Sequence, residues 1–423
     1  MARRRAAVLL LAAGVLGGVV AGPATAGPPP AHAAPAAAEA PADAVRDAQY
    51  WLAEYGILDA WAITRGAGVT IAVIDTGVAS PRELQDAVVG GADFSGRGSA
   101  DGRTPVGPDG EHGTLVASLA AGRGTGAGGG VIGSAPEASV LAVSIGFGGE
   151  DSDAQIAAAV RWAVDNGADV INMSLTRNTL DWPESWDDAF LHAARNDVVV
   201  VAAAGNRGSG TEVVGAPATM PGVLTVAGVT RAGTSSRTAS AQGLTIGVSA
   251  PSERLVGVMP DGSYVRWSGT SGATPIVAGV VALVRAAHPE LGVADVIHRI
   301  TSTARDVGEA GADVTYGFGL LDAAAAVGAE VPRVEKNPMG ELEEWVRLNR
   351  RQESTGEQPT LGPPPVEFAR PERGFDPVGV LLPSPLLLSR VGAPLLGAGV
   401  VVFLVGGFLV GAGRAFIRAR RTR

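Results

Sequence analysis

The chain has 423 residues, with 33 Lys or Arg against 42 Asp or Glu, a formal net charge of −9 at pH 7. A nucleic-acid partner needs clustered cations, and no polybasic stripe occurs outside the two termini, Lys336 being the only lysine. With no cysteine in the chain, a disulfide framework, a thiolate nucleophile and a Cys-ligated zinc are excluded.

Arg3, Arg4 and Arg5 precede an apolar run from Ala6 to Ala21, and Ala24-Thr25-Ala26 fits a small-residue cleavage site. Residues 1–26 are therefore expected to be a secretory signal peptide, with a short uncleaved anchor as the alternative. Residues 27–48 are largely Ala and Pro and read as a flexible N-terminal arm. From Gln49 to Trp61 the chain carries Tyr50, Trp51, Leu52, Tyr55, Ile57, Leu58 and Trp61, apolar surface enough to pack on a domain.

From Gly68 to about Gly328 short Val- and Ile-rich runs alternate with helical ones. Val69–Ile74, Ser139–Val143, Asp169–Met173, Val198–Ala202 and Val223–Val229 suit strands buried on both faces. Helices are predicted over Gly113–Ala121, Ala154–Asn166, Trp186–Asn196, Gly272–Ala287 and Val293–Thr303. Pro260-Asp261-Gly262 marks a turn between two short strand-like runs. This alternation implies an α/β domain over residues 49–329 with a mostly parallel central sheet and helices on both sides.

Residues 330–390 turn to Pro, Arg and Glu and read as an extended Pro-rich extracytoplasmic linker. Residues 391–413 are apolar and uncharged, long enough to cross about 30 Å of hydrocarbon as one transmembrane helix. Arg414, Arg418, Arg420, Arg421 and Arg423 follow in a basic tail over residues 414–423. Retention of positive charge inside predicts a single-pass cell-membrane protein with its C-terminus cytoplasmic and its domain outside.

Serine-based hydrolysis needs a base, a carboxylate to orient it and donors for the oxyanion. Of the five histidines, His32 lies in the leader region, His192 in a polar helix, and His288 and His298 in or at the end of C-terminal helices. His112 instead sits where Glu111-His112-Gly113-Thr114 runs into an apolar helix. Val73-Ile74-Asp75-Thr76-Gly77 places a carboxylate at the carboxyl end of a buried strand, where open α/β sheets build their sites. Gly269-Thr270-Ser271-Gly272-Ala273-Thr274-Pro275 places a serine at the start of an apolar helix, and Ala203-Ala204-Gly205-Asn206 ends another strand with an amide. Taken singly, each has a plainer reading: a helix-start His, a turn or metal-contact Asp, an N-cap Ser, a turn Asn.

Together the four segments resemble the subtilisin-like serine proteases, or subtilases (peptidase S8), whose triad runs in the chain order Asp, His, Ser. The resemblance covers roughly Trp51 to Val327. It implies a subtilisin-like three-layer fold and a serine endopeptidase acting on protein or peptide substrates, with Asp75, His112 and Ser271 as the triad and Asn206 in the oxyanion hole. Val170-Ile171-Asn172-Met173-Ser174-Leu175 resembles the strand beside the specificity pocket, which makes Ser174, Leu175 and Thr176 the implied substrate-binding residues. Tyr316-Gly317-Phe318-Gly319 resembles the segment that closes the fold. No cofactor and no metal are assigned. Asp101, Asp109, Asp151 and Asp153 lie in polar loops without a regular calcium-ligand ladder, and the glycine run from Gly124 to Gly129 follows a helix rather than a strand, so it reads as a loop.

Three positions depart from the family pattern. Leu115 stands where a second His is usual, Gly272 where Met is common, and Thr176-Arg177 where glycines pair with extended substrate, so the groove is expected to be narrowed or charged. A large inhibitory pro-domain has no room between Ala26 and Gly68. Signal, arm, catalytic domain, stalk and C-terminal span together resemble the mycosins, which implies a place beside the type VII secretion membrane complex. The other readings are a catalytically dispensable structural subunit of that complex and a generic anchored subtilase.

Overall fold

The computed structural model describes residues 43–126, 128–147 and 152–350. The expected signal peptide, residues 27–42 of the arm, the chain beyond 350 and the apolar run 391–413 lie outside the described residues.

Seven strands form the central sheet: β1 (Thr70–Asp75), β2 (Val88–Asp93), β3 (Ser139–Ser144), β4 (Val170–Met173), β5 (Val199–Ala203), β6 (Leu224–Val229) and β7 (Ile246–Pro251). Their order is β2-β3-β1-β4-β5-β6-β7, and every neighbouring pair is parallel. A separate antiparallel hairpin, β8 (Leu255–Val258) and β9 (Tyr264–Trp267), turns at Pro260-Asp261-Gly262. The helices are α1 (Ala44–Asp47), α2 (Trp51–Glu54), α3 (Ile57–Ala60), α4 (His112–Ala121), α5 (Ser152–Asp165), α6 (Glu184–Arg195), α7 (Thr270–Ala287), α8 (Val293–Ser302), α9 (Ala323–Gly328) and α10 (Leu342–Asn349).

Strand side chains alternate between faces, and here both faces are apolar. Ile71 and Val73 of β1 enter the core shared with α4, α7, α8 and α9, whereas Ala72 and Ile74 enter the core under α5 and α6. That makes three layers, helix, sheet, helix. Helix α7 is long and apolar enough to cross a membrane, yet 83% of its apolar window is buried inside the domain. Its Ile276, Val277, Val280, Val281 and Leu283 are fully buried, at about 1.5–3 kcal/mol of transfer free energy each.

Two strands escaped the sequence pattern. β2 reads VVGGAD and is half-exposed at the sheet edge, with a register shift between Val88 and Gly90. β7 reads IGVSAP, too poor in β-branched residues to stand out, although it is buried throughout. Its free edge is covered by the chain around Gly317–Leu321: Phe318 N–H donates to Gly247 O at 3.0 Å, and Ser249 N–H to Gly319 O at 2.9 Å. Gly317 has φ +64°, and a Cβ there would stand 2.5 Å from Ile246 O, so only glycine fits this lid on the edge.

Both expected boundaries shift. The arm joins the domain from Asp43, whose carboxylate caps α1 and whose neighbour Arg46 donates to Gly129 O at 2.8 Å. Gln49 exchanges two hydrogen bonds with Ile132, at 2.7 and 2.9 Å. At the other end, residues 330–350 are not stalk. Leu342 is buried, Trp345 lies 4.4 Å from Trp182 between ring centroids, and Arg350 stacks on both rings while pairing with Asp187 at 2.9 Å. Composition hid this because a short amphipathic helix with one aromatic anchor is enough to dock against the domain.

Candidate active site

In strand order the sheet changes direction at β1 and β4, since the chain leaves β3 on one side of β1 and continues in β4 on the other. The carboxyl ends at such a switch point leave a crevice. Asp75, the last residue of β1, is fully buried there, and its Oδ1 accepts the Thr76 N–H at 2.7 Å. Thr76 ties the next element in place: its hydroxyl donates to Gly110 O and accepts from Gly113 N–H, both at 2.9 Å. His112, the first residue of α4, thereby faces Asp75, with Nδ1 2.8 Å from Oδ1 and 3.0 Å from Oδ2. A carboxylate can only accept, so Nδ1 carries the proton and Nε2 is left as the acceptor.

Ser271 is the second residue of α7. Pro275 has no N–H to give the Ser271 carbonyl four residues earlier, and the Ser174 hydroxyl takes its place, donating to Ser271 O at 2.9 Å. The exchange is mutual, because Ser271 Oγ donates to Ser174 O at 3.2 Å. The resting hydroxyl is thus turned toward β4 rather than toward His112, and catalytic hydrogen bonds commonly tighten only when substrate is bound. Asn206 follows β5. Its Oδ1 accepts from Thr270 N–H at 2.8 Å and Thr270 Oγ1 at 3.0 Å, which orients the amide and leaves Nδ2 to donate beside the start of α7.

His112, Ser271, Asn206, Ser174, Leu175 and Thr176 all line one cleft of about 400 Å³, with Asp75 buried behind His112. Thr176 stands between two glycine backbones: its Cγ2 is 3.2 Å from where a Cβ on Gly205 would sit, and its Oγ1 2.9 Å from one on Gly215. Arg177 does not charge the groove. It pairs with Asp153 and stacks 5.6 Å from Trp186.

Charge comes instead from Asp109 and Glu111, which line the cleft beside His112. By composition Asp109 is one more loop acid, and its nearness to His112 in the chain is the signal that places it in the cleft. The exposed Phe147 also lines the cleft and had no sequence signal. Of the other loop acids, Asp101 accepts from Ser99 Oγ at 2.5 Å and Asp153 holds Arg177, while Asp151 lies outside the described residues.

Burial of the imidazole favours its neutral form, but the Asp75 carboxylate and its hydrogen bond, with Asp109 and Glu111 behind, outweigh it and hold His112 above its usual 6.5. A base must be neutral to accept a proton. Hydrolysis is therefore expected to rise with pH through a midpoint above 6.5, and Asp109→Asn with Glu111→Gln should move that acid limb to lower pH. An unmoved kcat/KM profile in the double variant would show that these charges do not reach the ring. For stability the sign is opposite: the protonated ring's contribution is full below about pH 6.5 and is lost as pH rises through the raised value.

The subtilase family profile matches residues 66–319. Subtilisin DY of Bacillus licheniformis is 35% identical over 270 residues, covering 62% of this chain and 92% of its own length. Alkaline elastase YaB of a Bacillus species and the Bacillus subtilis subtilisins E and NAT are matched over 65–66% of their own length. Among solved structures, MycP1 from Mycobacterium smegmatis superposes with a TM-score of 0.60 at 30% identity, covering 71% of this chain and 89% of that one. The MycP3 protease from the type VII (ESX-3) secretion system does so with a TM-score of 0.55 at 32% identity, covering 66% and 88%. With the profile spanning most of the described domain and relatives at this identity, the chain belongs to the subtilase family and is a subtilisin-like serine protease.

Proposed function

We propose that Asp75, His112 and Ser271 are the catalytic triad of a membrane-anchored, extracytoplasmic endopeptidase. The observation that carries this reading is the buried Asp75–His112 hydrogen bond at 2.8 Å, opening on the cleft that holds Ser271. Ser271 Oγ leaves Ser174 O, gives its proton to His112 Nε2 and attacks the scissile carbonyl. Asp75 keeps the proton on Nδ1 and stabilises the imidazolium, which then protonates the leaving amine. Asn206 Nδ2 and the Ser271 N–H receive the oxyanion. Ser174, Leu175 and Thr176 bind the substrate strand.

Because Thr270 fixes Asn206 by its oxygen, Asn206→Ala removes a preset donor. A fall of about 10²–10³ in kcat with KM little changed is expected, a size carried over from the matching asparagine of subtilisin. A variant with unaltered kcat would remove Asn206 from the oxyanion site.

The signal at 1–26, the linker before residue 390, the span at 391–413 and the basic tail at 414–423 support the anchored, outward-facing placement. Likeness to MycP1 and MycP3 supports an assignment to the mycosins, working beside a type VII secretion complex. The test uses intact cells and a membrane-impermeant fluorophosphonate probe. A labelled band that vanishes in Ser271→Ala is expected. Labelling only after lysis would overturn the outward placement, and equal labelling of the variant would overturn the triad.

A further inference from the structure

The flank of the imidazole is the part of the site that the triad itself does not explain. His112 is fastened at one point, Nδ1, and a ring held by a single hydrogen bond can still swing about it. Trp267, the last residue of β9, stands beside it. The two rings are 5.9 Å apart between centroids and inclined at 76°, the edge-to-face geometry that aromatic pairs favour.

Two further observations tie this indole to the site. First, Trp267 Nε1 is buried with no hydrogen-bond partner. Such a group is normally satisfied, so the indole is held here at a cost, by something other than its own polar end. Secondly, Gly272, next to Ser271, lies under the same ring. A Cβ on Gly272 would sit 3.3 Å from Trp267 Cη2 and Cζ2 and would run into Leu255 Cδ1. Leu255 is the cross-strand partner of Trp267 and is fully buried. The glycine after the nucleophile is thus the counterpart of the tryptophan: the hairpin fills the space that a side chain at 272 would take.

We propose that Trp267 is a positioning residue for His112, its indole walling one flank of the imidazole so that the ring held by Asp75 cannot swing away from Ser271. The role rests on the triad reading above. It is carried by two contacts of the indole, one with the base and one with the nucleophile's helix. It also accounts for Gly272, since a larger residue there would push the wall off His112.

The test is the second-order rate of fluorophosphonate reaction with Ser271 in the full-length protein, which reads nucleophile activation without substrate pockets. Trp267→Ala and Trp267→Leu are expected to slow it by about 10²-fold, the scale of a small misplacement of a catalytic group, while Trp267→Phe stays close to wild type. The downfield proton signal of His112 Nδ1–H should broaden in the Ala and Leu variants and survive in Phe. Trp267→Leu keeps the apolar filling, so it decides the matter even if the Ala variant does not fold. A Leu variant with wild-type rate and signal overturns the inference, as does a folded Phe variant as slow as Leu. A wild-type protein that does not react at all rejects the triad reading instead.

Discussion

Ser271→Ala is expected to lower kcat on a fluorogenic peptide by about 10⁶-fold, a size taken over from the equivalent loss in subtilisin. Among the described residues the cleft's other hydroxyls belong to Ser174, Thr176, Thr270 and Thr76, and Ser174 Oγ is committed to the Ser271 carbonyl. Folding should be little affected, because the lost hydroxyl makes a single 3.2 Å bond to Ser174 O while the Ser174–Ser271 carbonyl bond remains. An unchanged melting temperature with no turnover is the expected pair of results. In cells the same variant separates chemistry from scaffolding, since a structural subunit would still restore secretion to a deletion strain and an obligatory peptidase would not. Turnover retained within tenfold would remove Ser271 from the mechanism.

Asp75→Asn comes next, with an expected loss of about 10⁴ in kcat. The local geometry says why the isosteric change is so costly. Asp75 Oδ1 accepts from Thr76 N–H at 2.7 Å and lies 2.8 Å from His112 Nδ1, and Oδ2 lies 3.0 Å from the same nitrogen, so an N–H placed at Oδ2 would oppose the Nδ1 proton. In the variant the amide oxygen stays with the Thr76 donor, and the NH₂ group takes the Oδ2 position and donates to Nδ1. His112 is then driven into the tautomer with its proton on Nε2, facing Ser271 with no acceptor. The charge that raises the His112 pKa disappears as well, while the burial that lowers it remains. The acid limb of the residual activity should therefore move to lower pH. A profile that keeps its midpoint, or a loss under tenfold, would show that Asp75 does not govern the ring.

Much of the site was legible because each segment of the proposed triad combines a buried apolar run with a polar residue at its end. Strand β1 announces Asp75, and helices α4 and α7 announce His112 and Ser271. Their meeting was legible only through the family resemblance, since nothing local brings residues 75, 112 and 271 together. That work is done by the strand order. Trp267 stayed hidden because it closes a short hairpin whose outer face is exposed, and an aromatic there reads as ordinary strand. Thr176 and Arg177 were visible as departures, but the direction of their side chains was not: Arg177 turns to Asp153, so the acids beside His112 set the charge of the groove. β2 and β7 were missed because glycine, alanine and serine serve in them where close approach to neighbours replaces bulk.

The way both ends of the described domain are tied down limits how far the protein can be trimmed by other proteases. A cut a few residues past Asp43 strips Gln49 from Ile132 and uncovers Trp51, which has no exposed surface. At the opposite end, a cut before Arg350 unpins Trp182 and Trp345 together. Mature forms that survive nicking should therefore begin no later than the first turn of α1 and end no earlier than the Arg350 stack, so the durable fragment is defined by two aromatic anchors rather than by the limits of the catalytic sheet.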